Sequence, residues 1–207
     1  KVLFLGCHCD DIELGAGATI HKHREDWDIH CHVLCNKGFN RNAIVCLKTT
    51  TRKSLHNLGV PDQNITLDNF DPNHYENQRN EIWKSLNEIK KSLNPDLVIS
   101  QIEDEHQDHV TLYKETIRVF RESNLYLYLS SLRSLRYNTG DLFEIVSLDD
   151  VEKKIKSIKM YEKVLGPKIF FEARVIKSIV TTNATYIQKK YGIMVTLLYL
   201  YQVLVLH

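Results

Sequence analysis

The sequence predicts an α/β fold in which a mostly parallel sheet carries helices on both faces. Short apolar runs of strand length alternate with helical segments along the chain, which is the order typical of parallel βαβ units. Polar side chains follow at once after two of these strands, and open α/β sheets place their functional sites at such strand ends. With 207 residues, the chain fits one domain, 1–207.

The elements follow from the spacing of the apolar residues. An unbroken apolar run at 2–6 predicts a buried strand, and a helix follows at about 12–25. Residues 29–35 alternate apolar and polar side chains, as a second strand would, and a polar loop follows at 36–42. The other predicted elements are helices at about 46–58, 76–93 and 148–161, a helix ending near 120, strands at 65–67, 96–100, 125–129 and 143–146, and a helical or mixed segment at 170–180.

The bulk composition argues against several classes of function. A net charge of +1 gives no overall field that would attract nucleic acid or an anionic membrane. Residues 193–206 form an apolar stretch of about fourteen residues, whereas a membrane span needs about 20, so we expect a buried strand or helix there. The chain shows no signal-peptide pattern. Its five cysteines fit neither a zinc spacing nor a disulfide framework, which favours reduced thiols in the cytoplasm.

The first cluster of reactive side chains follows the first strand. His8, Asp10 and Asp11 lie within four positions, at the turn from strand to helix. His8 and Asp11 are three residues apart across this turn, so both can converge on one metal ion. Asp10 would point to a different side and could accept the proton of a water whose pKa the metal lowers from about 15.7 to about 7.

The second cluster, His106 to His109, follows the strand at 96–100. If the two strands are near neighbours, His109 supplies a third ligand beside His8 and Asp11. Two imidazoles and one carboxylate suit zinc or another borderline divalent ion. His106 could then face a substrate carbonyl, where it would stabilise the oxyanion or protonate the leaving amine. Asp108 could orient His106 by accepting a hydrogen bond from its ring.

The two clusters together resemble the PIG-L/LmbE family of zinc-dependent de-N-acetylases. That family carries His-Pro-Asp-Asp after its first strand and His-x-Asp-His later, and this chain has His8-Cys9-Asp10-Asp11 and His106-Gln107-Asp108-His109. The resemblance covers residues 1 to about 180. It implies a Rossmann-like fold and hydrolysis of an N-acetyl group on an amino sugar or glycoside, which could be nucleotide- or lipid-linked.

The resemblance also implies the cofactor and the role of each motif residue. It implies one divalent metal per chain, most readily Zn²⁺, with Fe²⁺ or Co²⁺ also tolerated. By motif position, His8, Asp11 and His109 are the metal ligands. Asp10 is the general base, and His106 is the second catalytic group, with Asp108 supporting it. The sequence leaves the oligomeric state open, a homo-oligomer included.

Two departures from the family pattern raise an alternative. Cys9 replaces the usual proline, which loosens the turn and places a thiol near the metal, where it could compete as a ligand. The segment at about 193–207 also differs from the family's usual ending. The alternative is an altered member that binds metal or sugar without turnover. We favour the enzyme, because Asp10 and His106 are both present.

Other candidates carry weaker signals. Asn40 and Arg41, in the loop after the second strand, and His74, in a later loop, are candidate substrate contacts, although loop residues of these types are more often simply solvated. The pair Gly15 and Gly17 lacks the spacing of a dinucleotide-binding loop, so we expect close helix packing there instead. We also expect the two histidines of the second strand, His30 and His32, to be exposed.

Overall fold

The computed structural model describes residues 1–35, 41–130, 142–191 and 198–202. The strands are β1 (Val2–Gly6), β2 (Ile29–Val33), β3 (Ile65–Leu67), β4 (Leu97–Gln101), β5 (Asn124–Tyr128), β6 (Leu142–Ile145) and β7 (Leu198–Gln202). The helices are α1 (Asp11–His23), α2 (Arg41–Asn57), α3 (Arg79–Leu93), α4 (Gln107–Phe120), α5 (Leu148–Lys159), α6 (Glu162–Leu165) and α7 (Ala173–Tyr191). Short 3₁₀ turns lie at Asp62–Asn64, Tyr75–Gln78 and Ile169–Phe171.

The strands form one sheet in the order β3-β2-β1-β4-β5-β7-β6. The five strands from β3 to β5 are parallel, and β7 runs antiparallel to both β5 and β6. From β1 the chain moves outward to β2 and β3, and then crosses back to place β4 on the other side of β1. The carboxyl ends of β1 and β4 therefore meet at the point where the strand order reverses, and ligands bind at this point in open α/β sheets.

Helices cover both faces of the sheet, because successive side chains of a strand point to opposite faces. Leu3 and Leu5 of β1 join one core with buried residues of α3 and α4. Val2 and Phe4 join another core with residues of α1 and α2. These two cores confirm the predicted α/β architecture. A third core lies around α5 and α7.

Helix α1 packs very closely on the sheet at Gly15. A Cβ atom at this position would lie 1.9 Å from the ring of Tyr128 on β5. The Tyr128 hydroxyl in turn donates a 2.7 Å hydrogen bond to the Leu5 carbonyl of β1. Glycine at position 15 therefore allows the helix that carries Asp11 to approach the sheet, as its sequence context predicts.

The C-terminal part of the chain is tied to α1 through α5. Ser147 and Asp150 form a capping box at the start of α5, which satisfies backbone donors at its first turn. The Asp150 carboxylate also accepts a 2.7 Å hydrogen bond from Nδ1 of His21, near the end of α1. Helix α5 therefore lies against α1, and this packing places the segment after α5 near the site.

The structure refines several predicted boundaries. The backbone of α2 already begins at Arg41, while residues 36–40 of the predicted loop lie outside the described residues. Residues 198–202 of the apolar tail form β7, and the rest of that tail lies outside the description. Among the described residues, no helix is both long and apolar enough to cross a bilayer.

Candidate active site

The first half of the site is the turn between β1 and α1. Asp11 is the first residue of α1, and its carboxylate oxygen Oδ2 accepts a 2.7 Å hydrogen bond from the backbone N–H of His8. This contact closes the turn and fixes His8 and Asp11 relative to each other. Asp10 occupies the N-cap position of α1, but its side chain makes no capping hydrogen bond.

The second half is the segment between β4 and α4. His106 is the N-cap residue of α4, and its ring atom Nδ1 accepts a 3.2 Å hydrogen bond from the backbone N–H of Asp108. Its own backbone N–H donates to the carboxylate of Asp104 at 2.7 Å. His109 lies in the first turn of α4 and is buried.

The two halves converge on one point. Nδ1 of His8 lies 3.2 Å from Oδ2 of Asp11 and 3.2 Å from Nε2 of His109, and the last two atoms are 3.4 Å apart. Ligands bound to zinc at about 2.0–2.1 Å with tetrahedral angles lie about 3.3 Å from one another. The three donor atoms therefore have the spacing and the chemical types that a zinc-sized divalent ion requires.

In each of the two histidines, a carboxylate contacts the outer ring nitrogen, which is the one that does not lie at the common point. Asp108 Oδ2 lies 3.2 Å from Nε2 of His8, and Asp104 Oδ2 lies 2.8 Å from Nδ1 of His109. Such outer carboxylates fix the tautomer and orientation of metal-binding histidines. With the other nitrogen of each ring held in this way, the nitrogen at the common point can act as a metal ligand once a metal replaces its proton.

The hydrogen bonds of Asp108 differ from the expected contact with the His106 ring. The Asp108 carboxylate contacts His8 and also accepts hydrogen bonds from the backbone N–H groups of Asn73 and Tyr75, at 2.5 and 3.2 Å. Among the described residues, the Asp108 carboxylate forms no hydrogen bond with the His106 ring, which accepts one from the Asp108 backbone N–H instead. The direct hydrogen-bond partner of the Asp108 carboxylate among the site histidines is therefore His8.

Asp104 is a neighbour of His109 that the sequence reasoning did not assign to the site. It lies in the short connection between β4 and α4, and it is buried. An aspartate five residues before a histidine carries no signal by itself. The hydrogen bond between Asp104 and His109 depends on the path of the connection between β4 and α4, which brings Asp104 to the first turn of α4.

The electrostatics of the cluster favour a bound cation. Burial alone would raise the pKa of Asp11, but His109 and His8 beside it hold that pKa well below its usual value. Burial would lower the pKa of His109, yet Asp11 and Asp104 raise it to about 9. The carboxylates therefore exert a strong attraction for positive charge, which a divalent metal could satisfy in place of protons.

Asp10 and His106 lie beside this centre with different properties. Burial, together with the charge of Asp11, raises the pKa of Asp10 to about 6. Burial and the neighbouring His8 and His109 lower the pKa of His106, whose ring centroid lies 4.8 Å from each of theirs. At neutral pH, Asp10 is therefore an ionised proton acceptor, while His106 is neutral and keeps its proton on Nε2.

Two buried tyrosines hold the backbone on either side of His8. The Tyr75 hydroxyl donates to the Cys7 carbonyl at 2.8 Å. The Tyr161 hydroxyl contacts the Cys9 carbonyl, and it lies 2.7 Å from the Glu13 carboxyl. Both tyrosines come from distant parts of the chain, and no local pattern in the sequence marks them.

The two cysteines beside His8 lie in different surroundings. Cys9 lies in the third core, with Ala18, Leu47 and Tyr161. The thiol near the metal ligands is that of Cys7, because donor atoms of Cys7, His8, Asp11 and His109 all lie within 4.8 Å of one another. Burial raises the pKa of the Cys7 thiol to about 12, so Cys7 is protonated in the absence of a metal.

The structure describes the three predicted substrate contacts to different extents. Asn40 lies outside the described residues, and Arg41 begins α2 with a side chain that is likewise not described. His74 is exposed. It sits between Asn73 and Tyr75, whose backbone N–H groups bind Asp108. Its loop therefore borders the site.

Solved structures with the same fold include enzymes of different activity. An N,N′-diacetylchitobiose deacetylase from Pyrococcus horikoshii superposes with a TM-score of 0.79 at 18% identity, over 99% of this chain and 83% of that chain. The zinc-inhibited form of teicoplanin deacetylase Orf2 gives 0.71 at 14% identity, over 89% and 93%. The 4-carboxy-2-hydroxymuconate hydratase GalB from Pseudomonas putida gives 0.68 at 16%, over 98% and 95%. At these identities the likeness shows the fold alone.

The sequence comparison is more specific. A search of curated proteins finds no match to this sequence. Residues 3–120, more than half of the chain, match the family model PIG-L, described as GlcNAc-PI de-N-acetylase. This matched region covers nearly all of the chain from β1 to α4, including both motifs. The chain, with its His-Asp-Asp and His-x-Asp-His residues gathered at the ends of β1 and β4, therefore belongs to the PIG-L family.

Proposed function

We propose that this protein is a metal-dependent hydrolase that removes the N-acetyl group from an amino sugar or a related glycoside. The observation that carries the proposal is the convergence of His8, Asp11 and His109, whose donor atoms lie 3.2–3.4 Å apart. The family description supports the reaction, and the two deacetylases of similar fold support the class of substrate.

His8, Asp11 and His109 would hold the metal. A divalent ion there supplies a Lewis acid that makes water more acidic and polarises the carbonyl group of an acetamide. Asp104 and Asp108 keep the two histidines in the ligand tautomer through their outer nitrogens. We take Zn²⁺ as the first candidate, because two imidazoles and one carboxylate form a common catalytic zinc set.

Asp10 acts as the general base in this proposal. It accepts a proton from the attacking water, and a pKa of about 6 lets it do so while ionised at neutral pH. A base whose pKa lies near neutral pH can both accept this proton and pass it on afterwards.

His106 acts as the hydrogen-bond donor to the substrate. Its Nδ1 accepts from the backbone, so the proton of the neutral ring resides on Nε2. From there it either stabilises the developing oxyanion or protonates the leaving amine. We propose His74, Arg41 and Asn40 as contacts to the sugar, with His74 supported by its place beside the loop that binds Asp108.

The proposal is tested by metal content and acetate release together. The purified protein is loaded with one equivalent of Zn²⁺, Co²⁺ or Fe²⁺, and acetate release is measured from a panel of N-acetylglucosamine derivatives. The loading is kept at one equivalent, because excess zinc could occupy further donors in the site. We expect about one tightly bound metal per chain and acetate release that depends on it.

The Asp10→Asn variant separates metal binding from turnover. We expect it to keep the metal and to lose turnover by about 10²–10⁴-fold, the usual contribution of a general base. Asp26→Asn is the matched control, since Asp26 is exposed beyond the end of α1. Full activity of Asp10→Asn would refute the assigned base, and bound metal without acetate from any derivative would point to binding without turnover.

A further inference from the structure

A cavity lies between α2 and the α5–α6 junction, and its lining shares no residue with the candidate active site. It has a volume of about 550 Å³ and opens between the second half of α2 and the end of α5. The described residues that line it are Thr49, Thr50, Lys53, Lys156, Lys159, Met160, Lys163 and Val164. None of them belongs to the cluster of His8, Asp11 and His109, which we call the metal cluster. We call this cavity the basic pocket.

Four lysines from three helices line the basic pocket. Lys156, Lys159 and Lys163 are spaced by three and four residues, so they form one stripe along the end of α5 and α6. Lys53 faces them from α2, where Thr49 lies one turn before it. The pocket is therefore built by the packing of two parts of the chain and not by one run of basic residues.

The positive charge of the basic pocket is not neutralised by the described residues. Within the described ranges, none of the four ammonium groups forms an ion pair or a hydrogen bond. Some other lysines of the molecule do have acidic partners, as Lys177 has in Glu152 and Lys22 has in Glu144. The described lining also contains no acidic residue. A chain with a net charge of +1 thus concentrates four positive charges around one cavity.

Helix ends account for only part of this charge. Lysines in the last turn of a helix interact favourably with its dipole, which applies to Lys156 and Lys159 in α5. Lys53 lies outside the last turn of α2, whose basic residue there is His56. Ammonium groups that share a cavity also repel one another, so the cluster needs a further reason.

We propose that the basic pocket binds a small phosphate-bearing anion with at least two negative charges. Ammonium groups bind phosphate as point charges, and the hydroxyl groups of Thr49 and Thr50 can donate to its oxygens. Met160 and Val164 supply an apolar wall for the organic part of such a molecule. The volume lies within the range of about 300–1,000 Å³ that is usual for small-molecule sites.

The test measures binding of fructose 1,6-bisphosphate to the full chain by calorimetry. The variant Lys53→Gln/Lys159→Gln/Lys163→Gln should weaken binding by at least about tenfold, because charge-assisted hydrogen bonds are lost. The control variant Lys84→Gln/Lys91→Gln/Lys114→Gln removes the same charge from exposed positions of α3 and α4. It should keep binding within about threefold. Unchanged melting temperature and metal content would show that both variants are folded.

A second arm distinguishes a free phosphate from a lipid headgroup. Flotation with phosphatidylcholine vesicles, with and without phosphatidic acid, is measured for the same three proteins. Binding in either arm that is lost only in the pocket variant supports the proposal and identifies the source of the phosphate. Equal loss in both variants, or no binding to either probe by the unaltered protein, would overturn it. The readout uses no acetylated sugar, so it stands apart from the proposed deacetylation.

Discussion

Two histidine–carboxylate clusters lie on neighbouring strands, and only one of them is arranged to hold a metal. At the ends of β1 and β4, His8, His109 and Asp11 present three donor atoms to a common point, 3.2–3.4 Å from one another. On β2, Nε2 of His32 and Oγ of Ser85 instead both donate directly to Oδ2 of Asp68, at 2.8 and 2.6 Å.

The difference lies in what the carboxylates do. In the first cluster, separate carboxylates hold the outer nitrogens, so that the inner nitrogens can bind a cation. In the second cluster, the carboxylate of Asp68 instead accepts hydrogen bonds directly from His32 and Ser85. The two clusters therefore differ in whether their donor atoms converge on a shared point, and not in whether they contain histidine and aspartate.

The largest expected effect is on metal content, and it is tested by replacing one histidine from each cluster. His109→Ala should reduce the metal content from about one per chain to nearly none, because it removes one of three ligands. His32→Ala should keep the metal, although the loss of a buried side chain lowers the free energy of unfolding. Metal content after gel filtration measures the contrast, with circular dichroism to check folding. A His109→Ala protein that keeps one tightly bound metal would refute the ligand set.

The next effect concerns the carboxylates that hold the histidines. Asp104→Asn should weaken metal affinity by about 10–100-fold, because a neutral amide supports His109 less well than a carboxylate does. Competition with a chromogenic chelator measures this change. Asp68→Asn is the matched control, because it alters the cluster of His32, Asp68 and Ser85, which we call the β2 cluster. This variant should leave the metal affinity unchanged. If both variants bound metal like the unaltered protein, Asp104 would have no role in the centre.

The contrast between the clusters also shows what the sequence could predict. His8 and Asp11 follow β1 directly, and His109 lies near the end of β4, so strand periodicity alone brings them to one edge of a parallel sheet. The family motifs supplied the roles that we propose for these residues. The fold class followed from the alternation of strands and helices, which depends on local patterns.

Contacts between distant segments could not be predicted in this way. Asp108 contacts His8, one hundred positions away, and Tyr161 reaches the Cys9 carbonyl across 152 positions. We expected His32 to be exposed, but it is 2% exposed. Strand β2 lies inside the sheet, and α3 contributes Ser85 to cover that face. A polar side chain in a strand is thus compatible with burial when a later segment supplies its hydrogen bonds.

A third effect tests how α1 positions the metal cluster. Gly15→Ala would place a Cβ atom 1.9 Å from the Tyr128 ring, so we expect the free energy of unfolding to fall by about 2 kcal/mol, as in other overpacked cores. At Gly17 the nearest atom is the Lys154 side chain, at 3.3 Å, and Gly17→Ala should be tolerated far better. Urea unfolding measures both variants. Equal stability of the two would show that close packing at Gly15 is not required.

The smallest effect is a pH dependence from the β2 cluster. Burial would raise the pKa of Asp68, but the hydrogen bonds from His32 and Ser85 hold it below its usual value. A lowered pKa in the folded state stabilises the protein above the unfolded pKa of about 3.9, and this contribution is lost as the pH falls through the folded value. Asp68→Asn should therefore cost about 1 kcal/mol at pH 7, with a smaller difference below pH 4.

Urea unfolding at several values between pH 7 and pH 3 measures this difference. Asp62→Asn is the control, because Asp62 is an exposed carboxylate that pairs only with Arg52 among the described residues. Its difference from the unaltered protein should stay small across the range. A constant cost of Asp68→Asn at every pH would mean that Asp68 contributes through packing alone. The β2 cluster would then differ from the metal cluster in its charge as well as in its geometry.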